Sequence, residues 1–173
     1  MARRILGVDP GTIRMGYGLL EAHGRDARYL DAGALTARAS LPLGERLSHL
    51  HQGLLRLVEE WTPELMAIED PFVPVEDLRG GGYHTSVRSA IAVGQAQAVA
   101  LMAAAAKGLP VFRYPPARVK SIVTGYGRGS KAQVAEVVRM ILGLSEAPKP
   151  ADATDALAVA LCHLQAEQIR ALG

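Results

Sequence analysis

Hydrophobic positions in the first part of the chain fall into short runs that are separated by turn residues. This pattern predicts strands at Arg3 to Asp9, Met15 to Ala22 and Ala27 to Thr36, with turns at Pro10-Gly11 and near Gly24. Because short turns join antiparallel neighbours, the three strands are expected to form an antiparallel meander.

The pattern of hydrophobic residues then changes to helical spacing, which alternates with short continuous apolar runs. Apolar residues recur at helical spacing at Leu43, Leu47, Leu50, Leu54, Leu57 and Val58. Pro63 ends this helix before a buried strand at Leu65 to Ile68. The later pattern predicts helices at Ser86 to Lys107, Ala117 to Val123 and Lys131 to Leu142, a strand at Val111 to Tyr114, and a last helix that begins near Asp152. This order predicts an α/β fold with a mixed five-stranded sheet flanked by helices, because parallel neighbours require helical crossovers.

The helix predicted before the fifth strand is apolar on every face. No charge intervenes between Arg88 and Lys107, and the small residues Gly94, Ala96 and Ala100 permit close approach of another helix. One face can lie on the sheet, but the opposite face needs another cover. We expect a two-fold homodimer to supply it. The alternative is that neighbouring helices of the same chain bury every face.

Composition places the chain among ordinary globular proteins. Its 173 residues, 49% apolar and 21% charged, favour a single domain spanning 1–173 and disfavour two-lobed enzymes. The longest apolar run, Ala98 to Ala106, is too short for a membrane span, and no export signal is recognisable, so we expect a soluble protein. The single cysteine, Cys162, excludes an internal disulfide and a multi-cysteine zinc site and fits the cytoplasm.

Charge is unevenly distributed along the chain. Between Leu78 and Arg139 there are nine basic residues and one acidic residue, a net charge of +8, although the whole chain carries only +2 and the remainder therefore −6. Segregated basic charge is typical of proteins that bind a polyanion. The alternative is a basic face that is merely solvated.

Four carboxylates stand at the ends of predicted elements. Asp9 and Glu69 each terminate a strand, and they meet if the two strands are neighbours. Asp152 and Asp155 lie three residues apart in the first turn of the last helix, hence on one face. Each acid alone is open to a simpler interpretation as a turn or helix cap. Four converging carboxylates repel one another unless divalent cations neutralise them, and hard oxygen ligands suit Mg²⁺ or Mn²⁺.

Several motifs together resemble those of one family. They are Gly7-Val8-Asp9-Pro10-Gly11-Thr12, Gly16-Tyr17-Gly18, Ala67-Ile68-Glu69 with Phe72, Gly94-Gln95-Ala96, Lys120 with Lys131, and Asp152-Ala153-Thr154-Asp155-Ala156-Leu157. Over nearly the whole chain the sequence resembles the RuvC family of bacterial Holliday-junction resolvases. The resemblance implies a ribonuclease-H-like fold, a homodimer, and a metal-dependent endonuclease that nicks two opposed strands of a four-way DNA junction during recombination and repair. It also suggests contact with a branch-migration complex.

The resemblance further implies roles for individual residues. Asp9, Glu69, Asp152 and Asp155 match the catalytic acids that bind metal, for which we expect two Mg²⁺ per active site with Mn²⁺ able to substitute. Asp152 stands where some relatives have histidine.

The expected DNA contacts come from an aromatic residue and from basic residues. Phe72 matches a junction-contacting aromatic, and Lys120 and Lys131 match basic residues beside the scissile phosphate. Arg79 and Arg128, from the basic segment, complete the expected DNA-binding set. The loop from Val73 to Thr85 has no residue-by-residue match.

The chemistry of these residue types agrees with the resemblance. Two metal ions activate water and stabilise the leaving oxygen in phosphodiester hydrolysis. A lysine stabilises the charge that develops on the phosphate, and Lys131 is our first choice because a cation at a helix start opposes the dipole unless an anion is near. Phe72 lies in a loop where an aromatic can stack on an unpaired base, although loop packing is the alternative. The segment from Gly125 to Lys131 is not a Walker motif, since Ser130 replaces the required glycine.

Three other functions compete with junction cleavage. One is a different ribonuclease-H-like nuclease, such as the pre-ribosomal RNA processing relatives, but the Glu69 to Phe72 segment argues against it. An actin-like sugar kinase needs a second lobe that this length cannot supply. A non-catalytic junction-binding module requires basic charge but has no need for four acids.

Overall fold

The computed structural model describes residues 2–70, 87–125 and 129–171. The strands are β1 (Arg3–Asp9), β2 (Arg14–His23), β3 (Asp26–Thr36), β4 (Leu65–Glu69) and β5 (Val111–Tyr114). The helices are α1 (Leu43–Trp61), α2 (Val87–Ala106), α3 (Pro116–Thr124), α4 (Lys131–Ile141) and α5 (Ala151–Arg170). Phe72, Arg79 and Arg128, three of the predicted DNA-binding residues, lie outside the described residues.

The strands form one mixed sheet in the order β3-β2-β1-β4-β5. The pairs β1/β2 and β2/β3 are antiparallel, which confirms the predicted meander. The pairs β1/β4 and β4/β5 are parallel, with Val8 opposite Ile68. The predicted mixed five-stranded sheet flanked by helices is confirmed, and the carboxyl ends of β1 and β4 lie at the same sheet edge.

Successive residues along the strands point alternately into two different hydrophobic cores, one on each face of the sheet. Ile5 and Leu20 belong to a core that α5 completes with Leu157 and Leu161. The other face of the same strands, including Leu6, packs with α1 and α2. This two-sided burial makes β1 and β4 nearly continuous apolar runs up to the acid at the end of each strand.

Two glycines let α5 approach the sheet closely. A Cβ added at Gly7 would lie 2.0 Å from the Ala156 carbonyl oxygen, and one added at Gly16 would lie 2.0 Å from the Asp152 carbonyl oxygen. No side chain fits at such a distance, so the missing Cβ atoms permit backbone contact between helix and sheet. The first turn of α5 is thereby held beside the end of β1.

Helix α2 is covered on only one face by the described residues. Ala96, Ala100 and Ala103 are fully buried, whereas Ile91 is 56% exposed and Met102 is 62% exposed. The alternative in which neighbours within the chain bury every face is wrong for the part that the structure describes. By length and composition α2 is also long and apolar enough to cross a membrane, with a mean hydropathy of 1.5, and its buried face packs on α1 and β4.

Cys162 and His163 of α5 are both fully buried. The Tyr114 hydroxyl lies 2.8 Å from His163 Nδ1, and the Phe112 and His163 rings are 4.4 Å apart. Burial lowers the pKa of His163, which favours the neutral ring. These residues belong to the core.

Candidate active site

Asp9 and Glu69 occupy neighbouring strand ends, as the sequence predicted. Each follows directly on a paired position, since Val8 and Ile68 are opposite one another in the parallel β1/β4 ladder. Their side chains line one cavity of about 140 Å³ together with Asp155 from α5. Three of the four predicted acids are therefore brought together.

The rest of the cavity combines two cations with an apolar wall. Its lining residues are Asp9, Glu69, Pro116, Val119, Lys120, Lys131, Val134, Asp155 and Ala158. Both lysines that were predicted to lie beside the scissile phosphate thus face the acids. The apolar wall lowers the effective dielectric constant of the site, which strengthens the electrostatic interactions among the charged side chains.

Burial and mutual repulsion perturb the two strand-end acids. Burial, followed by the charges of Glu69, Asp155 and Asp152, raises the pKa of Asp9 to about 7, and Lys131 opposes the shift. Burial and the charge of Asp155 raise the pKa of Glu69 to about 7, against Lys131 and Lys120. Without another cation, these carboxyls hold protons up to near-neutral pH.

Lys131 is positioned by a capping box at the start of α4. The Ser130 hydroxyl accepts a hydrogen bond from the Gln133 backbone N–H at 3.2 Å, and the Gln133 side chain accepts one from the Ser130 N–H at 2.7 Å. Lys131 Nζ donates to Asp155 Oδ2 at 2.9 Å, which raises the pKa of the lysine. The lysine side chain is nevertheless 78% exposed, so its ammonium group is accessible to a ligand.

Asp152 is placed differently from the other three acids. It does not line the cavity, and its Oδ2 lies 3.4 Å from an Arg14 guanidinium nitrogen. The interpretation of Asp152 as a helix cap is wrong, because Pro150 is the N-cap residue of α5 and no side chain caps that end. Its charge still contributes to the raised pKa of Asp9. Asp152 therefore stands at the periphery of the cluster.

The carboxylate oxygens of this cavity fit a divalent cation that takes its remaining ligands from water and from substrate. Within the described ranges, no group of three or more His, Cys, Asp or Glu side chains is arranged to hold a metal ion by itself. Mg²⁺ in enzymes of phosphate chemistry is commonly held by one or two carboxylates together with water and substrate phosphate oxygens. Asp9 and Glu69, with raised pKa values and only oxygen donors, match that requirement.

Sequence reasoning missed the groups that support these acids. Asp70 is fully buried, forms an ion pair with Arg113 of β5, and donates its backbone N–H to the Tyr114 carbonyl at 2.8 Å. These contacts fix the chain directly after Glu69. The adjacent acids Glu69-Asp70 were the available signal, but the partner on β5 becomes visible only in the fold. Arg14, the partner of Asp152, was missed for the same reason.

Comparison with known sequences gives consistent matches over most of the chain. The family model described as "Crossover junction endodeoxyribonuclease RuvC" matches residues 5–163. A protein with that name from Dehalococcoides mccartyi is 44% identical over 160 residues, covering 92% of this chain and 90% of the relative. One from Chloroflexus aggregans is 45% identical and covers 92% of each chain.

Solved structures give the same result for the fold. The structure of T. thermophilus RuvC in complex with a Holliday junction substrate matches with a TM-score of 0.86 and 32% identity over 97% of this chain and 96% of that one. Fowlpox virus resolvase, solved with its substrate Holliday junction DNA, has a TM-score of 0.58 at 12% identity and shares the fold only. The predicted ribonuclease-H-like architecture is confirmed. By sequence over nearly its full length and by fold, the chain belongs to the RuvC family of crossover junction endodeoxyribonucleases.

Proposed function

We propose that this protein is a structure-selective endonuclease that resolves four-way DNA junctions by paired, metal-dependent hydrolysis in two opposed strands, in recombination and repair. The observation that carries the proposal is the cavity in which Asp9, Glu69 and Asp155 face Lys120 and Lys131. Family membership supplies the substrate class, since a relative was solved with a Holliday junction. The nuclease is one ribonuclease-H-like domain over residues 1–173, acts in the cytoplasm without a membrane, and by family resemblance alone works with a branch-migration complex.

Asp9, Glu69 and Asp155 would hold Mg²⁺, with Mn²⁺ as a substitute, two ions per site, and Asp152 would contribute from the periphery. When bound, the metal supplies an activated water and neutralises charge on the phosphate and the leaving oxygen. The protein's own contribution is a rigid, partly buried set of carboxylates. Repulsion among the ionised carboxylates favours binding of a cation, so a divalent metal ion would compete with protons for the site near neutral pH.

The two lysines act on the phosphate. Lys131 reaches over the acids while its ammonium remains mostly exposed, so it can donate to a phosphate oxygen without leaving Asp155. Lys120 enters the same cavity from α3. A charge-assisted contact that strengthens as negative charge develops accelerates the chemical step. Phe72, Arg79 and Arg128 are proposed to add junction contacts.

Paired incision requires two sites, which a homodimer through α2 would supply. Five of the exposed positions of α2 form a stripe with a spacing of three or four residues: Ile91, Gly94, Ala98, Leu101 and Ala105. A stripe of this kind packs against its own copy about a two-fold axis. Two such copies would present identical acidic sites to a pseudo-symmetric junction.

Cleavage of a synthetic four-way junction, with duplex DNA and an RNA hairpin as controls, tests the reaction. We expect Mg²⁺-dependent cuts in the junction alone, and Asp9→Asn, Glu69→Gln or Asp155→Asn to abolish cleavage while junction affinity holds or rises. Asp26→Asn, an exposed acid on β3, is the matched control and should cleave normally. Cleavage of the RNA hairpin instead would favour the RNA-processing alternative. Binding without cleavage would favour a junction-binding module, and substantial turnover by Asp9→Asn would refute the assigned site.

Sedimentation equilibrium tests the dimer. Wild type should run as twice 18.4 kDa, and Leu101→Glu should give a folded monomer. Met140→Glu changes an equally apolar residue, 64% exposed on α4, and should remain dimeric. Cleavage of a cruciform in a supercoiled plasmid shows whether the two incisions are coupled, because paired cuts linearise the plasmid whereas a single nick relaxes it. A wild-type monomer with full paired-cut activity would contradict the proposal.

A further inference from the structure

A second, larger cavity opens at the sheet edge that carries the acids, but on the other side of the sheet. It has a volume of about 480 Å³ and is lined by Thr12, Leu43, Arg46, Val87, Arg88, Ile91, Ala92 and Gln95. Thr12 lies in the turn directly after β1, and the other residues come from the first turns of α1 and α2. Because α1 and α2 cover the face opposite α5, this cavity and the active site lie on opposite faces of the sheet, and they share no lining residue among those described.

The charged groups that the described part of the chain contributes to this cavity are two arginines. Among residues 2–70, 87–125 and 129–171, Arg46 and Arg88 have no ion-pair partner and no acid lines the wall. Arg46 Nε is buried without a hydrogen-bond partner. A guanidinium donor that has lost water and gained no acceptor costs free energy unless a ligand supplies the acceptor.

The chemistry of the cavity selects a phosphate. Guanidinium groups present planar, paired donors that match phosphate oxygens. The first turn of α2 contains no acidic residue, so the positive end of its dipole adds to the two cations. Thr12 and Gln95 provide further donors beside them.

We infer that the cavity, here called the Arg46–Arg88 cleft, binds a backbone phosphate of the junction DNA away from the scissile phosphate. This inference rests on the proposed function. Asp9 ends β1 and lines the active-site cavity, and Thr12 lies three residues further along the chain and lines the second cavity, so a DNA strand with a phosphate at Asp9 has a second anion-binding surface nearby. The cleft would hold the strand on the α1/α2 side and so fix the direction in which it leaves the active site. It therefore contributes to binding and not to the chemical step.

The salt dependence of junction binding tests the cleft. Arg46→Gln and Arg88→Gln should each reduce the slope of log affinity against log salt by about one, which corresponds to about tenfold weaker binding at 0.1 M salt. The value of kcat at saturating junction should stay within about twofold of wild type, because neither side chain touches the reacting phosphate. Arg46→Lys should keep the slope, since the charge remains.

Arg56→Gln is the matched control. Arg56 is an exposed arginine of the same helix, ten residues beyond Arg46, or about 15 Å along the axis. Its substitution changes the net charge by the same amount as Arg46→Gln and should leave the slope of log affinity against log salt unaltered. Thermal unfolding checks each variant, and if Arg46→Gln fails to fold, the exposed Arg88 decides alone.

Wild-type cleavage tests the proposed function, whereas the difference in slope tests the cleft, so the two can fail separately. Slopes of Arg46→Gln and Arg88→Gln equal to that of Arg56→Gln would overturn the inference. Saturable binding of inorganic phosphate that Arg46→Gln removes, with an unchanged DNA slope, would assign the cleft to a free anion instead. Loss of the dimer with an unchanged slope would assign it to the second copy of the chain.

Discussion

Replacing Asp9 by asparagine should stabilise the metal-free protein while it abolishes the proposed cleavage. The carboxyl has a pKa of about 7 in the folded protein against an ordinary value of 3.8. The folded state therefore binds more protons than the unfolded state between these two values. Ionisation of Asp9 then costs stability as pH rises through that window, and the full cost is reached above pH 7. Asparagine cannot ionise and avoids the cost.

The magnitude follows from the size of the window. Each pH unit between the two pKa values contributes about 1.4 kcal/mol, so ionised Asp9 costs up to about 4 kcal/mol at pH 8. Because Asp9 is partly exposed, solvent screens part of this, and we expect Asp9→Asn to gain about 2 kcal/mol or more. In a chain of this size that gain raises Tm by roughly 4 to 8 °C. Near pH 4 the gain should vanish, because wild-type Asp9 is then protonated when folded.

Urea unfolding in EDTA between pH 4 and pH 8.5 measures the difference. Asp155→Asn is the control within the same cavity, since Asp155 accepts a hydrogen bond from Lys131 and its loss should bring no comparable gain. Adding Mg²⁺ should stabilise wild type more than Asp9→Asn, because only the intact site binds the ion well. An Asp9→Asn protein that is no more stable than wild type at pH 8, or that gains equally at pH 4, would refute the reasoning.

Three further changes probe the site. Lys131→Ala should slow cleavage at saturating junction as well as reduce the salt slope by about one, and an unchanged rate would remove Lys131 from the reaction. Gly16→Ala should cost at least 2 kcal/mol in urea unfolding and impair cleavage, because its Cβ would lie 2.0 Å from the backbone of α5, whereas Gly44→Ala meets nothing within 4 Å and should be neutral or stabilising. Equal stabilities of the two variants would contradict this close contact. Asp152→Asn should reduce kcat less than Asp155→Asn does, since Asp155 alone of the two lines the cavity, and the reverse order would show that Asp152 is the closer ligand.

The sequence by itself determined the strands and helices, and it determined the end of the sheet at which the candidate catalytic acids lie. The alternation and helical periods predicted each strand and helix to within a few residues, because one-sided or two-sided burial leaves a local pattern. Asp9 and Glu69 could be assigned to one site because each ends a strand, and strand ends of a parallel pair share an edge. Lys131 could be placed at a helix start for a similarly local reason.

The tertiary structure decided which groups face one another. The spacing of Asp152 and Asp155 puts them on one helix face, but close packing at Gly7 and Gly16 sets the angle at which that face meets the sheet. Asp155 consequently lines the cavity, whereas Asp152 lies beside Arg14.

Other contacts likewise depend on distant segments. The ion pair of Asp70 with Arg113 forms across two parallel strands, and the Arg46–Arg88 cleft joins the starts of two helices that are separate in sequence. Neither leaves a local pattern, because each partner taken alone is an ordinary acid or arginine. Local periodicity records which face of an element is buried, whereas only the packed fold determines which polar groups meet at its ends.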